Sequence, residues 1–135
     1  MRKAAVAVVV VAMVVGVGAV AALERAHDLA GRKELKRTDL EGAPGMEVIL
    51  SVTELKPGEG IPAHLHHGVE SGYVLAGGMV EVPGKPAFAM ETGAPILFER
   101  GVVHGGFKVA GDQTIKLVTV HVVDKHKPLY DVVGP

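Results

Sequence analysis

The chain has 135 residues, which is enough for one domain and short for two. Its formal net charge is −1 with both signs interspersed, so we expect no nucleic-acid partner. The absence of cysteine excludes thiolate-ligated zinc, iron–sulfur clusters and thiol nucleophiles. Eighteen Gly and eight Pro indicate many turns, as in an all-β domain.

The N-terminal residues have the pattern of a secretory signal. Arg2 and Lys3 precede residues 4–23, which carry no charge, and residues 19–21 are small. As a helix, this run would extend about 30 Å and could span a bilayer. We therefore predict that residues 1–21 are a cleaved signal peptide or an uncleaved membrane-anchor helix, with a soluble core helix as the remaining alternative. Either of the first two exports the protein to the periplasm or another extracytoplasmic compartment, with membrane contact only through residues 4–23 if uncleaved.

The rest of the chain divides into a polar segment and a strand-rich domain. Residues 22–37 are mixed in charge and are predicted to form a tether or a marginal helix before a barrel domain of residues 38–135. Strands are predicted at 47–55, 72–75, 79–82, 88–90, 96–98, 105–109 and 114–123. The strands at 72–75 and 79–82 should form a hairpin closed by two glycines. Eight or so short strands favour an all-β sandwich or barrel.

Histidines cluster in one short, glycine-flanked stretch of the chain. On a strand, His64 and His66 project to the same face, whereas His67 projects to the other and is expected at the solvent-facing rim. Glu70 comes four residues after His66, past Gly68, where a turn can bring its carboxylate back over the same face. His104, which begins a later strand, completes a plausible three-nitrogen, one-oxygen ligand set. Iron, manganese, nickel and zinc accept such a set, but by spacing alone ordinary surface histidines are an equal alternative.

Two residues are candidates for acid/base chemistry. Glu70 could shuttle a proton while it is a metal ligand. His121 shares a strand face with Leu117 and Thr119, and it is predicted to be a hydrogen-bonded barrel histidine, with a substrate contact as the alternative. Tyr73 should face away from Glu70 and lie in the core or an interface.

The same residues resemble the conserved motifs of the cupin superfamily. The first motif is matched, with every gap, by Gly58, His64, His66, Glu70 and Gly77. The second is matched by Gly93, Gly101 and His104, although Glu99 stands where proline is usual and Lys108 where asparagine is usual. The chain is similar to small exported single-domain cupins of the conserved-barrel type. These carry short sequence motifs like those at residues 37–45 and 122–129.

The resemblance implies a double-stranded β-helix barrel, jelly-roll-like, with a divalent transition metal inside one end. The implied ligands are His64, His66, Glu70 and His104. It implies an enzyme acting on a small molecule, oxygenase-, isomerase- or lyase-like, with a dioxygenase-like reaction favoured. The alternatives are a non-catalytic envelope module that binds a ligand or metal, and a barrel that its metal merely braces. Because cupins often pair through sheet edges, a homodimer is expected, with residues 114–123 as the candidate contact.

Overall fold

The structure, a computed structural model, describes Leu29 and residues 31–134. Regular secondary structure in this part of the chain is entirely β, which confirms the predicted fold class. The strands are β1 (Arg32–Asp39), β2 (Met46–Leu55), β3 (Gly60–Ile61), β4 (His64–Leu65), β5 (Gly68–Ala76), β6 (Gly78–Glu81), β7 (Phe88–Met90), β8 (Pro95–Phe98), β9 (Phe107–Val109), β10 (Ile115–Asp124) and β11 (Asp131–Val132). Among the described residues, no helix is long and apolar enough to cross a membrane. The predicted signal or anchor, residues 1–21, lies outside the described residues.

The strands form two antiparallel sheets and a short ribbon. The larger sheet has the order β1-β2-β10-β5-β8, the smaller has the order β3-β9-β6-β7, and β4 pairs with β11. Buried side chains from both sheets meet in one core, formed by Leu55, Val74, Val80, Val109, Ile115 and Leu117. The two sheets therefore pack face to face as a barrel.

The central strands β2 and β10 determine which side chains enter the barrel. Both alternate between buried and more exposed positions, because one sheet face packs on the core and the other does not. Along β10 the buried series is Ile115, Leu117, Thr119, His121 and Val123, so a polar stretch of the interior lies next to the apolar core. The register places His121 directly opposite Glu70 of β5.

The prediction of a tether or marginal helix at residues 32–37 was wrong, because these residues belong to β1. Arg32 lies opposite Thr53 and Arg37 opposite Ile49, with a register shift between Glu34 and Lys36. Sequence patterning misses this strand because it is a charged edge strand with little apolar alternation, and such charges protect a sheet edge from further pairing. The pairing begins the barrel six residues before the predicted boundary, at Arg32 rather than Thr38.

The predicted hairpin at Gly77-Gly78 was also wrong, because β5 and β6 belong to different sheets. Two-residue hairpin turns require positive φ, and neither glycine has it. Gly77 is needed for a different reason: a Cβ atom there would lie 2.0 Å from the carbonyl oxygen of Met90. The two glycines carry the chain closely past β7 from one sheet to the other.

Candidate metal centre

The structure brings together the four residues that the sequence suggested as metal ligands. His64 lies on β4, His66 follows that strand, and Glu70 lies on β5. His104 comes from the connection between β8 and β9, and its main chain forms two hydrogen bonds of 2.9 Å with that of His64. One potential ligand atom from each of the four residues lies within 4.8 Å of the others.

Each of the three clustered histidines has its Nδ1 atom bonded to a main-chain carbonyl. The pairs are His64 with Pro62 (2.8 Å), His66 with Leu129 (2.5 Å) and His104 with Val102 (2.9 Å). Because a carbonyl oxygen can only accept, each Nδ1 must carry the proton and donate. In the neutral ring, Nε2 then presents a lone pair, as a metal-binding imidazole requires.

The Nε2 atoms of His66 and His104 meet Glu70 in contacts that need a cation. Each lies 2.8 Å from the same carboxylate oxygen, Oε2 of Glu70. Two neutral Nε2 lone pairs and a carboxylate oxygen are all acceptors, so they repel unless a proton or a metal ion lies between them. Three imidazole nitrogens and one anionic oxygen also match the ligand chemistry of divalent transition metals. The residues present therefore fit such an ion.

Burial and mutual contact set the charges of these groups in the metal-free protein. Burial alone would raise the pKa of Glu70, but its close contacts with His104 and His66 lower that pKa well below its usual range. Burial lowers the pKa of His104, but the Glu70 carboxylate outweighs it and the net shift is upward. Burial also lowers the pKa of His64 to about 4. Glu70 is thus an anion, and His64 is neutral at ordinary pH.

His121 lies behind Glu70 and outside the four-residue cluster. Its side chain is 1% exposed, and its Nε2 atom is 3.8 Å from Oε2 of Glu70, beyond hydrogen-bond distance. Neither ring nitrogen has a hydrogen-bond partner among the described residues, so the predicted hydrogen-bonded histidine was wrong. The physical reason is that Oε2 of Glu70, which faces it across the strand pair, is already engaged by His66 and His104. Burial lowers the pKa of His121 to about 3, so the ring is neutral.

Two aromatic rings hold the cluster from either side. The ring of Tyr130 packs against those of His64 and His66, with centroids 5.0 and 5.2 Å apart. The ring of Phe98 stacks on that of His104. Neither Phe98 nor Tyr130 was predicted as a site residue from the sequence, and the signal for Tyr130 is an aromatic residue within a polar C-terminal segment.

The remaining predicted residues lie away from the cluster. His67 faces outward, with Nε2 at 3.2 Å from Oδ2 of Asp131. Tyr73 is 49% exposed, so the core position considered for it was wrong, while its predicted direction away from Glu70 was correct. Lys108, which stands where the second motif has asparagine, is exposed on β9. The position of His104 is thus maintained by Val102, Phe98 and the main chain of His64.

A cavity of about 230 Å³ opens beside the cluster. His64, Glu70 and His104 form one end, and Tyr130 also lines it. His121 is not among the lining residues, so it does not face the space that a small molecule would occupy.

The fold and this site define a two-sheet β barrel with a buried group of three imidazoles and one carboxylate at one end. Residues 51–121 match the Cupin domain family (Cupin_2), more than half of the chain. The protein belongs to the cupin family. Among curated proteins, none matches its sequence.

Solved structures with the same fold come from several bacteria. An uncharacterized conserved protein with a double-stranded β-helix domain from Klebsiella pneumoniae is 16% identical, with a TM-score of 0.56 over 77% of this chain and 84% of that chain. The polyketide cyclase RemF from Streptomyces resistomycificus is 25% identical, with a TM-score of 0.51 over 77% and 75%. A cupin-like protein from Thermotoga maritima is 26% identical, with a TM-score of 0.52 over 76% and 74%. These similarities support a double-stranded β-helix.

Proposed function

We propose that the protein is a metal-dependent enzyme that acts on a small molecule inside the barrel. The observation that carries this proposal is the arrangement of His64, His66 and His104: the Nδ1 atom of each donates to a main-chain carbonyl, so their Nε2 lone pairs gather near Glu70. A buried group of this composition is costly unless a cation compensates it. A divalent transition ion does so, and iron, manganese, nickel and zinc all accept these ligands.

Each of the four residues has a defined part in this proposal. His64, His66 and His104 would hold the ion through Nε2, and Glu70 would hold it through a carboxylate oxygen. Once bound, the ion supplies a Lewis acid or redox centre. Four protein ligands leave positions for a small molecule on an ion that prefers six.

Among the possible reactions we propose an oxygenase-, isomerase- or lyase-like one, with a dioxygenase-like reaction first. Glu70 is the carboxylate that lines the cavity among the described residues, so its Oε2 atom is the candidate to hold or move a proton. His121 would act through Glu70, as a neutral ring that packs behind the carboxylate at 3.8 Å and limits its movement. The similarity to RemF, which is a polyketide cyclase, supports an enzyme on this barrel, but the fold alone does not choose the reaction.

A non-catalytic ligand- or metal-binding module is the second candidate, and the cavity wall favours it. Apart from the cluster residues and Tyr130, the polar side chains that line the cavity in the described structure are Thr53 and Thr119. Hydroxyl groups of threonine are poor acids and bases at neutral pH, so few groups besides Glu70 and Tyr130 are available for proton transfer. A binder would retain its ligand unchanged, whereas an enzyme would convert it.

Export and dimer formation stay predictions that complete the proposal. The basic residues before the uncharged run 4–23 support a signal or anchor. To test export, the protein is expressed in a bacterium with and without residues 1–21. Cell fractionation then measures how much of each form reaches the periplasm or the membrane. Analytical ultracentrifugation tests the homodimer.

Turnover by metal-loaded protein tests the enzymatic proposal. The protein is loaded anaerobically with each of the four metals, and small-molecule mixtures are screened for loss of substrate and, with iron, for oxygen uptake. Conversion that requires metal and disappears in Glu70→Gln supports an enzyme. Retention of an unchanged ligand by the metal-loaded protein, with no conversion, favours the binding module.

A further inference from the structure

The side chains that line the cavity change from polar to apolar along the barrel axis, and this change indicates which class of small molecule can bind there. Its metal end is formed by His64, Glu70 and His104. The strand registers arrange the inward side chains of β5 and β10 in layers, with Glu70 opposite His121 and, four residues further along each strand, Val74 opposite Leu117. The wall thus passes from the ligands through threonines to aliphatic side chains.

The far end of the cavity is apolar. It is lined by Val74, Met90, Ala94, Ile96, Phe107 and Leu117. Val74 and Leu117 belong to the hydrophobic core, and the other four pack against it. A molecule reaching from the metal would therefore insert its body into the space between the two sheets.

In the described part of the cavity wall, the charged groups are confined to the metal end. Among the described residues that line it, none is lysine or arginine. Arg32, whose guanidinium carbon lies 5.9 Å from the ring centroid of Tyr130, is near the metal end but is not a lining residue. A carboxylate or phosphate carried on the far end of a ligand would be buried without a cation, which is strongly unfavourable.

The volume restricts the ligand to about one ring. A cavity of roughly 150 Å³ lined by aliphatic and aromatic residues accommodates benzene. The cavity here, about 230 Å³, is larger by about half. It would hold one ring with a short substituent, or an aliphatic chain of similar size.

We propose that the substrate has a metal-binding oxygen head and an uncharged, apolar body of about one ring. The head lies against the ligand cluster, and the body lies against Val74, Ile96 and Leu117. This inference rests on the proposed metal-dependent function and deepens it. It excludes dicarboxylates, whose second carboxylate lacks a cation, and sugars, whose hydroxyls would find mainly aliphatic neighbours.

Two hydroxamates that share one metal-binding head test the inference. Benzohydroxamate has an uncharged ring, and 4-carboxybenzohydroxamate carries a carboxylate at the opposite end of that ring. Each is titrated calorimetrically into zinc-loaded protein, whose metal content is first measured by elemental analysis. We expect benzohydroxamate to bind at least about tenfold more tightly, because burial of the second carboxylate is unfavourable. Equal affinities, tighter binding of the carboxylated probe, or no binding of benzohydroxamate to metal-loaded protein would overturn the inference.

A matched pair of lysine variants identifies the cavity wall. Ile96 and Leu97 are neighbours on the edge strand β8, but Ile96 lines the cavity whereas Leu97 is 69% exposed. Ile96→Lys should reduce the preference for benzohydroxamate by about tenfold, and Leu97→Lys should leave it unchanged. An equal effect of both variants contradicts the assignment of the wall. Failure of the parent protein to bind zinc would instead overturn the proposed metal-dependent function. It would also overturn the proposal that the substrate has a metal-binding head. If Ile96→Lys does not fold, the comparison of the two hydroxamates in the parent protein still tests whether the cavity prefers an uncharged ring.

Discussion

The ring of Phe98 lies face to face on the ring of His104, with centroids 3.9 Å apart and planes inclined by 10°. The main chain of Phe98 pairs with that of Glu70 across β8 and β5. One residue therefore links two of the four clustered side chains. This support matters for His104 because, unlike His64 and Glu70, it comes from a glycine-rich connection rather than a strand.

Loss of the Phe98 ring should weaken metal binding. Phe98→Leu removes the stacking surface while keeping an apolar side chain, so His104 gains freedom and metal affinity should fall about three- to tenfold. Phe98→Tyr keeps the ring and should bind metal like the parent. A competition titration against a chelator measures both affinities. Parent-like affinity in Phe98→Leu would show that the hydrogen bonds to Val102 and to the main chain of His64 orient His104 without the ring.

Neighbouring histidines on opposite faces should differ sharply in their contribution to metal binding. His66 is 2% exposed and contacts Glu70, whereas His67 faces outward and contacts Asp131. His66→Ala should lower metal affinity at least about a hundredfold, and His67→Ala should leave it within about twofold. Elemental analysis after dialysis against a weak chelator distinguishes them. Equal retention by both variants would contradict the ligand assignment.

Replacement of His121 should separate stability from metal binding. Its two ring nitrogens are buried without partners among the described residues, so His121→Phe should keep the free energy of unfolding or raise it by about 1 kcal/mol. Metal affinity should nevertheless fall several-fold, since the ring behind Glu70 changes. Chemical denaturation and metal titration measure the two effects.

Ser51 provides a matched control for His121. Its hydroxyl is also fully buried without a partner in the described structure, but Ser51 is not in the cluster. Ser51→Ala should be similarly neutral for stability and should leave metal affinity unchanged. A loss of more than about 2 kcal/mol in His121→Phe would show that the imidazole makes a stabilising contact.

Acidification should destabilise the metal-free protein. Burial lowers the pKa of His121 to about 3 and that of His64 to about 4, from an ordinary value of 6.5. Below pH 6.5 the unfolded chain binds protons that these folded residues exclude, so the free energy of unfolding falls as the pH falls from 6.5 toward 4. The contribution of His121 is about 1.4 kcal/mol per pH unit. The raised pKa of His104 has the opposite effect on the free energy of unfolding. It is one residue, whereas His64 and His121 both have lowered pKa values.

Thermal unfolding of metal-free protein between pH 7 and pH 5 measures this dependence. The Tm of the parent should fall, and that of His121→Phe should fall less, because this variant lacks one of the two excluded protons. A Tm that rises on acidification would show that the raised pKa of His104 dominates. Metal should also dissociate at low pH, since imidazoles must be neutral to coordinate it.

The parts of the fold that sequence predicts are those stabilised by their own residue pattern. β2 and β10 are long, rich in β-branched residues and strictly alternating, so their positions were predicted within a residue or two. β3, β4 and β11 have two residues each and carry no periodic signal. β1 was missed because its charged residues become a strand only through pairing with β2.

The site was predictable in its members but not in their contacts. Strand alternation placed His64 and His66 together, and the spacing to Glu70 and His104 matched a family motif. The register that places His121 opposite Glu70 depends on pairing between strands about 50 residues apart, which local sequence does not specify. The carbonyls of Pro62, Leu129 and Val102 were equally invisible, because every residue has one and only the fold aims it.

The metal content of the purified protein decides whether the three histidines and Glu70 bind an ion. The protein is purified without a histidine tag, loaded anaerobically and compared by elemental analysis with a His64→Ala, His66→Ala double variant. We predict about one equivalent of a divalent transition metal in the parent and little in the variant. Absence of metal from both, or equal metal in both, would contradict it.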